Sequence, residues 1–186
     1  RRSKGLSLKL NADVTGFEEK DDGVSVLLHN DAPIKTDMVI LAIGVAPDNT
    51  LAKDANMELG IKGAIVVNDK METSIPDIYA VGDAVLVKHT ITDKEAVISL
   101  AGPANKQGRI AADNICGRNS RYKGSMGTSV IKLFDLTAAS VGLTEKAAKD
   151  SGYDFESVIL SPSSHAGYYP GATTMTMKVV FDKSSL

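Results

Sequence analysis

Residues 73–84 join a turn, a short apolar run and a single carboxylate, and this stretch constrains the fold most tightly. After a Pro76-Asp77 turn signal, Ile78, Tyr79, Ala80 and Val81 form a continuous apolar run, which predicts an interior strand covered on both faces. Gly82 would end that strand, and without a Cβ it lets backbone and ligand approach closely. Asp83 is then expected at the carboxyl edge of an open α/β sheet, where such sheets bind ligands. An ionised aspartate only accepts hydrogen bonds, so its natural partner is a hydroxyl or N–H donor, as a polyol would present. A Gly-Asp pair alone also arises in ordinary turns, so the flanking segments must decide.

A chain of 186 residues fits one domain or two small ones. With 43% hydrophobic and 24% charged residues, it has the composition of a soluble globular protein. No apolar run approaches the roughly 18 residues of a membrane span, and no leader-like segment opens the chain, so the expectation is a cytoplasmic protein without membrane attachment. The net charge of −2 and the lack of a Lys/Arg block exclude electrostatic capture of nucleic acid. Arg1, Arg2 and Lys4 read as a cut point inside a longer polypeptide. The single cysteine, Cys116, permits neither an intrachain disulfide nor a paired-cysteine redox or zinc motif, and near a helix end it reads as packing material. His29, His89 and His165 have no metal-ligand spacing and read as surface or satisfied residues.

Period-two alternation predicts strands around Leu6, Leu8 and Leu10 and around Val24, Val26 and Leu28, with a charged turn over residues 18–23 between them. A turn at residues 29–33 leads to a continuous apolar strand over 36–44 that Gly44 closes, so residues 1–46 form a small β-rich unit. Residues 50–57 read as a short helix capped by Asn49 or Thr50, and 65–67 as a strand. Residues 85–100 read as a connection. Pro103 at a first helical position marks a helix start, with Ala104, Gly108, Ala111 and Ile115 on one small-residue face and Gly117 as the stop. Such a start also offers free N–H groups and a positive dipole end. From Arg121 the character changes: strands are expected around residues 130–134, 138–142, 155–160 and 173–181, with a capped helix over 144–152.

Residues 36–48, 73–84, 100–109, 127–136 and 165–171 together resemble, in order, segments of the FAD-dependent pyridine nucleotide-disulfide oxidoreductases, in the branch of coenzyme A-disulfide reductases and NADH oxidases or peroxidases. The resemblance implies an α/β to α+β fold: a partial FAD/NAD(P)-binding domain of the kind with two dinucleotide-binding domains, followed by the start of an α+β dimerisation domain. It places the tail of the NAD(P)H domain at 1–46, the end of the FAD domain at 47–120 and the opening of the dimerisation domain at 121–186. It further implies that Asp83 holds the ribityl chain of FAD with Gly82 allowing its approach, that Leu100, Ala101, Gly102 and Pro103 face the flavin ring, and that Gly44 lies in a loop near the nicotinamide cofactor. Tyr168 or Tyr169 matches a tyrosine that reaches across a homodimer toward the partner's active site, and the motif does not distinguish the two.

The departures matter equally. The chain contains no Gly-x-Gly-x-x-Gly, and Cys116 does not stand where the family places its redox thiol. The expectation is therefore a C-terminal fragment of an enzyme that moves a hydride from NAD(P)H to FAD and on to a small-molecule disulfide such as coenzyme A disulfide, a peroxide or oxygen. The fragment itself is expected to be inactive and not to retain FAD. A reading of another class is a non-catalytic dimerisation or interaction module of flavoprotein descent.

Overall fold

Phe17, Val26 and Ile34 face one another in adjacent strands, an aromatic and β-branched row of the kind that stabilises antiparallel pairing. They belong to the first of two units, which divide between residues 45 and 46, in a computed structural model that describes residues 5–185. Strands β1 (Val14–Lys20), β2 (Gly23–Leu28) and β3 (Asp31–Thr36) run as an antiparallel meander in that order. Gly23 is required at its turn, because its φ is +130° and a Cβ would stand 2.7 Å from the Thr36 carbonyl oxygen. Pro33 sits on the edge strand β3, where a missing N–H breaks no central ladder.

Three expectations for this unit are corrected. Residues 6–10 are not a strand; Lys9 instead pairs with Asp31 at 2.6 Å. The charged turn shrinks to residues 21–22, since Glu18, Glu19 and Lys20 complete β1 opposite Ser25, Val24 and Gly23. Beyond Thr36 the apolar run is irregular through Gly44, and Ile40, Leu41 and Ile43 are exposed. A strand needs a neighbour for its ladder, and none pairs with this run among the described residues.

In the second unit, helix α1 (Thr50–Asp54) is shorter than expected. Its start is held by Asp48, whose carboxylate accepts from the Thr50 N–H at 3.2 Å and hydroxyl at 2.9 Å, and these bonds hold the Asp48 carboxyl below its usual range. Asn49 does not cap: its amide donates to the Gly63 carbonyl at 2.7 Å. A mixed sheet follows in the order β4-β5-β6, with β4 (Ile65–Val66) parallel to β5 (Val85–Lys88) and β5 antiparallel to β6 (Glu95–Ala96). The centre of the core is β5: Val85, Leu86 and Val87 are buried with Ala52, Ala64 and Met71. The expected connection over 85–100 is thus corrected to a strand at its start, and the interior strand is β5, not the run at 78–81.

That run pairs differently. Asp77 adopts a φ of +64° and turns the chain back, so that Thr73 N–H donates to the Ile78 carbonyl at 2.8 Å and Ala80 N–H to the Met71 carbonyl at 3.1 Å. The result is a hairpin with one bridge between Glu72 and Tyr79, and Ile78 and Val81 remain exposed. The close turn satisfies backbone groups locally, and no sheet strand lies alongside residues 78–81 among the described residues.

Helix α2 (Ala101–Ile115) starts two residues before Pro103, which stands at its third position and not its first, and it buries Gln107 and Ala111. Ile115 is exposed, so the helix is turned about one residue from the expected small-residue face. Asn114 explains the rotation: its side-chain amide donates to the carbonyls of Ile110 at 2.8 Å, Ser120 at 2.9 Å and Lys70 at 3.3 Å. Cys116, at the helix end, is exposed rather than packed. The remaining elements are the β7 (Ser129–Leu133) and β8 (Leu136–Ser140) hairpin, helix α3 (Glu145–Asp150) with Thr144 as a side-chain cap, and the pair β9 (Phe155–Leu160) and β10 (Met177–Asp182). The last strand begins four residues later than expected. Mixed helices and strands with short sheets match the α/β to α+β expectation.

Candidate functional site

Gly82 and Asp83 lie between the 71–80 hairpin and the buried strand β5. Gly82 has a φ of +92°, a left-handed conformation that glycine adopts without penalty. Its N–H donates to the Gln107 side-chain oxygen at 2.7 Å. Gln107 is 1% exposed, so this is a buried polar anchor that ties the turn to α2. From Gln107 to the first residue of α2 is six residues, or about 9 Å along the axis at 1.5 Å per residue. The turn therefore stands beside the helix's N-terminal half.

Asp83 is exposed, and among the described residues its carboxylate has no hydrogen-bond or ion-pair partner. It stands two residues before Val85, at the amino end of β5, so it does not sit at the carboxyl edge of a strand over 78–81. A Cβ built on Gly82 or on Gly102 would meet nothing within 4 Å, so there is open space in front of both. Leu100 is the extended residue before α2, and no side chain caps the helix. Ala101 and Gly102 are exposed, with Leu100 and Pro103 half-buried. Unbonded first-turn N–H groups and the positive dipole end are thus available to a ligand. The arrangement combines an acceptor-only carboxylate, space for close approach and uncapped donors.

Tyr79 backs the hairpin behind this turn. Its hydroxyl donates to the Glu72 carboxylate at 3.4 Å, and burial first, then the Glu72 charge, raise its pKa. Tyr168 and Tyr169 lie in the loop between β9 and β10, 84% and 59% exposed, with ring centroids 4.8 Å apart. One backbone bond, from the Tyr169 N–H to the Ala166 carbonyl at 3.0 Å, shapes that turn. Gly44 belongs to the first unit, exposed with a φ of +94°. The structure thus ties Gly82, next to Asp83, to the N-terminal half of α2 through Gln107, and it leaves the two tyrosines on an exposed loop between β9 and β10.

Gln107 is the residue that sequence reasoning missed. A signal existed: Pro103 and Ala111 stand four residues before and after it, which puts a polar side chain on the covered face of the helix. Among the described residues no cluster of His, Cys, Asp and Glu could hold a metal ion, and no helix is long and apolar enough to cross a membrane.

A family model described as pyridine nucleotide-disulphide oxidoreductase matches residues 1–108, and one described as the dimerisation domain of the same family matches 128–186. The chain belongs to the pyridine nucleotide-disulphide oxidoreductase family. This bears out the resemblance drawn from the five ordered segments. The NAD(P)H sulfur oxidoreductase (CoA-dependent) of Pyrococcus furiosus is 36% identical over 180 residues, covering 97% of this chain and 40% of that protein. The coenzyme A disulfide reductase of Staphylococcus haemolyticus is 37% identical over 150 residues, covering 80% of this chain and 34% of its own. The solved structure of an NAD-dependent persulfide reductase from A. fulgidus superposes with a TM-score of 0.92 at 36% identity, over 99% of this chain and 34% of that one. The chain therefore spans about 40% of the length of the first curated relatives it matches.

Proposed function

We propose that the whole protein moves a hydride from NAD(P)H to FAD and passes the electrons to a disulfide such as coenzyme A disulfide, to a peroxide or to oxygen, and that it acts as a homodimer. The observation that carries this reading is the exposed, unpartnered Asp83 carboxylate on a turn whose preceding N–H is pinned to buried Gln107. The residues fit the cofactor. When bound, FAD supplies the two-electron chemistry, and the protein supplies position and polarity.

In this reading Asp83 accepts a hydrogen bond from a ribityl hydroxyl, and Gly82 keeps the approach open. The N–H groups of Ala101 and Gly102 and the dipole of α2 favour negative charge on the flavin edge in front of them. Leu100 and Pro103 shape that backbone. Gly44 lets the nicotinamide cofactor approach the end of a domain over 1–46, with 47–120 completing the FAD domain. Residues 121–186 open the dimerisation domain, from which Tyr168 or Tyr169 would reach the partner's active site. The relatives' names favour a coenzyme A-linked sulfur substrate. Exposed Val130, Phe134, Leu136 and Ile159 in the region matching the dimerisation model support pairing of two copies.

The test is Asp83→Ala in the whole protein, read as bound flavin per chain after desalting. A clear fall in flavin content is expected, and unchanged content would overturn the assignment. The 186-residue chain, which holds no Gly-x-Gly-x-x-Gly to bring a helix start to the pyrophosphate, is expected not to bind FAD at micromolar concentration by flavin fluorescence.

A further inference from the structure

A second concavity, on the flank of α2, carries charge that the flavin site does not use. The cavity of about 340 Å³ is lined by Lys106 and Arg109, one turn apart on the helix, and by Arg121, Tyr122 and Lys123 from the segment that follows it. Four cations converge there in a chain whose net charge is −2. Only Arg121 has an acidic partner, Asp69 at 2.5 Å, so four positive charges less one negative leave +3. The other nearby acid, Asp113 on α2, is engaged by the Ser120 hydroxyl at 2.6 Å and Arg118 at 3.3 Å. Lys106, Arg109 and Lys123 make no ion pair among the described residues.

Like charges gathered in a concavity without counter-charges repel one another, and the same field concentrates anions. Arginine's planar fork matches phosphate oxygens, and lysine adds point charges. The volume lies near the lower end of ligand pockets, about 300–1,000 Å³, which suits one or two phosphates and not a whole dinucleotide. The geometry points to a binding site for a phosphate or phosphoanhydride anion here, formed by Lys106, Arg109, Arg121 and Lys123. Such a group could come from inorganic pyrophosphate or from a nucleotide. The site is independent of the flavin reading.

Isothermal titration of the 186-residue chain with inorganic pyrophosphate and with ADP, at about 10 mM ionic strength where the Debye length is about 30 Å, tests it. Saturable binding with a dissociation constant at or below about 1 mM is expected, weakening as salt rises. Lys106→Ala with Arg109→Ala should weaken it about tenfold, while Lys146→Ala with Lys149→Ala, exposed on α3, should leave it within about twofold. ADP binding the tighter of the two assigns the phosphates to a nucleotide, and pyrophosphate binding the tighter assigns a free inorganic anion. Absence of saturable binding by both probes below about 10 mM, or equal weakening by the two double variants, would overturn the site.

Discussion

Replacing Gln107 by methionine tests the anchor under the flavin turn. Methionine keeps the length and nearly the volume of the side chain but has no oxygen to receive the Gly82 N–H, which now lies 2.7 Å from the Gln107 amide oxygen. An unsatisfied buried donor costs about 1–3 kcal/mol. Gln107 is 1% exposed, but Gly82 is half-buried, so water can recover part of the lost bond. The expected destabilisation is therefore about 1–2 kcal/mol, toward the lower part of that range. In a chain of this size, 1 kcal/mol moves the thermal midpoint by about 2–4 °C, so a fall of about 2–8 °C should appear. Gln107→Ala should fall further, because a cavity adds to the lost acceptor. Urea unfolding with an unchanged m-value gives the free energy, and amide exchange at Gly82 should accelerate in the same variants. A methionine variant within about 0.5 kcal/mol of the parent, with unchanged Gly82 exchange, would refute the anchor.

Gly124→Ala should destabilise the chain beyond the roughly 1–2 kcal/mol of a left-handed non-glycine residue, because its φ is +88° and a Cβ would lie 2.4 Å from the Lys88 carbonyl oxygen. Gly152→Ala, with a φ of +81° and nothing within 4 Å, should show the conformational cost alone; equal urea midpoints for the two variants would refute the contact. Glu145 joins α3 to the last sheet through Lys178 at 2.8 Å and the Ser157 hydroxyl. These bonds, Lys178 first, lower its pKa below the ordinary 4.5, so its contribution is complete above pH 4.5 and is lost as pH falls through the lower folded value. Glu145→Gln should therefore reduce the acid-side slope of stability against pH, and an identical slope would count against this link. Asp83→Ala in the 186-residue chain should leave the urea midpoint within about 0.5 kcal/mol, since the carboxylate has no partner to lose.

Sequence periodicity located elements best where the chain supplies their partners. Strands β2 and β9, the capped helix α3 and the start of α2 all stand near their expected positions, because alternation, a Thr144 cap and Pro103 are local causes. The apolar runs at 36–44 and 78–81 failed as strands for a common reason: apolar character states a preference for cover and says nothing about which neighbour completes the ladder. The reverse error hid β5, which is the central strand between β4 and β6 and is buried, while its flank at 89–95 is largely polar and obscures the pattern. The rotation of α2 shows polar groups overruling a small-residue stripe. Asn114 and Gln107 have part-buried backbone partners to satisfy, and meeting both is accompanied by exposure of Ile115.

The two halves of the proposed site differ in how far they are formed in advance. Asp83 follows a tethered glycine and stands just before a buried strand, so its backbone is held on both sides before any ligand arrives. Tyr168 and Tyr169 have each other and a single backbone bond, on an exposed loop with nothing to hold their rings. A positioned acceptor loses little conformational freedom on binding, whereas a mobile ring must be ordered when it is used. Within the proposed enzyme, loss of Asp83 should therefore act on flavin retention at every protein concentration. Loss of either tyrosine should act only where two copies associate and the partner fixes the loop, so its effect on turnover should fade on dilution below the dimer's dissociation constant. A tyrosine effect that persists unchanged in dilute monomer would place these rings in their own subunit's chemistry and remove the reason for assigning them to the partner.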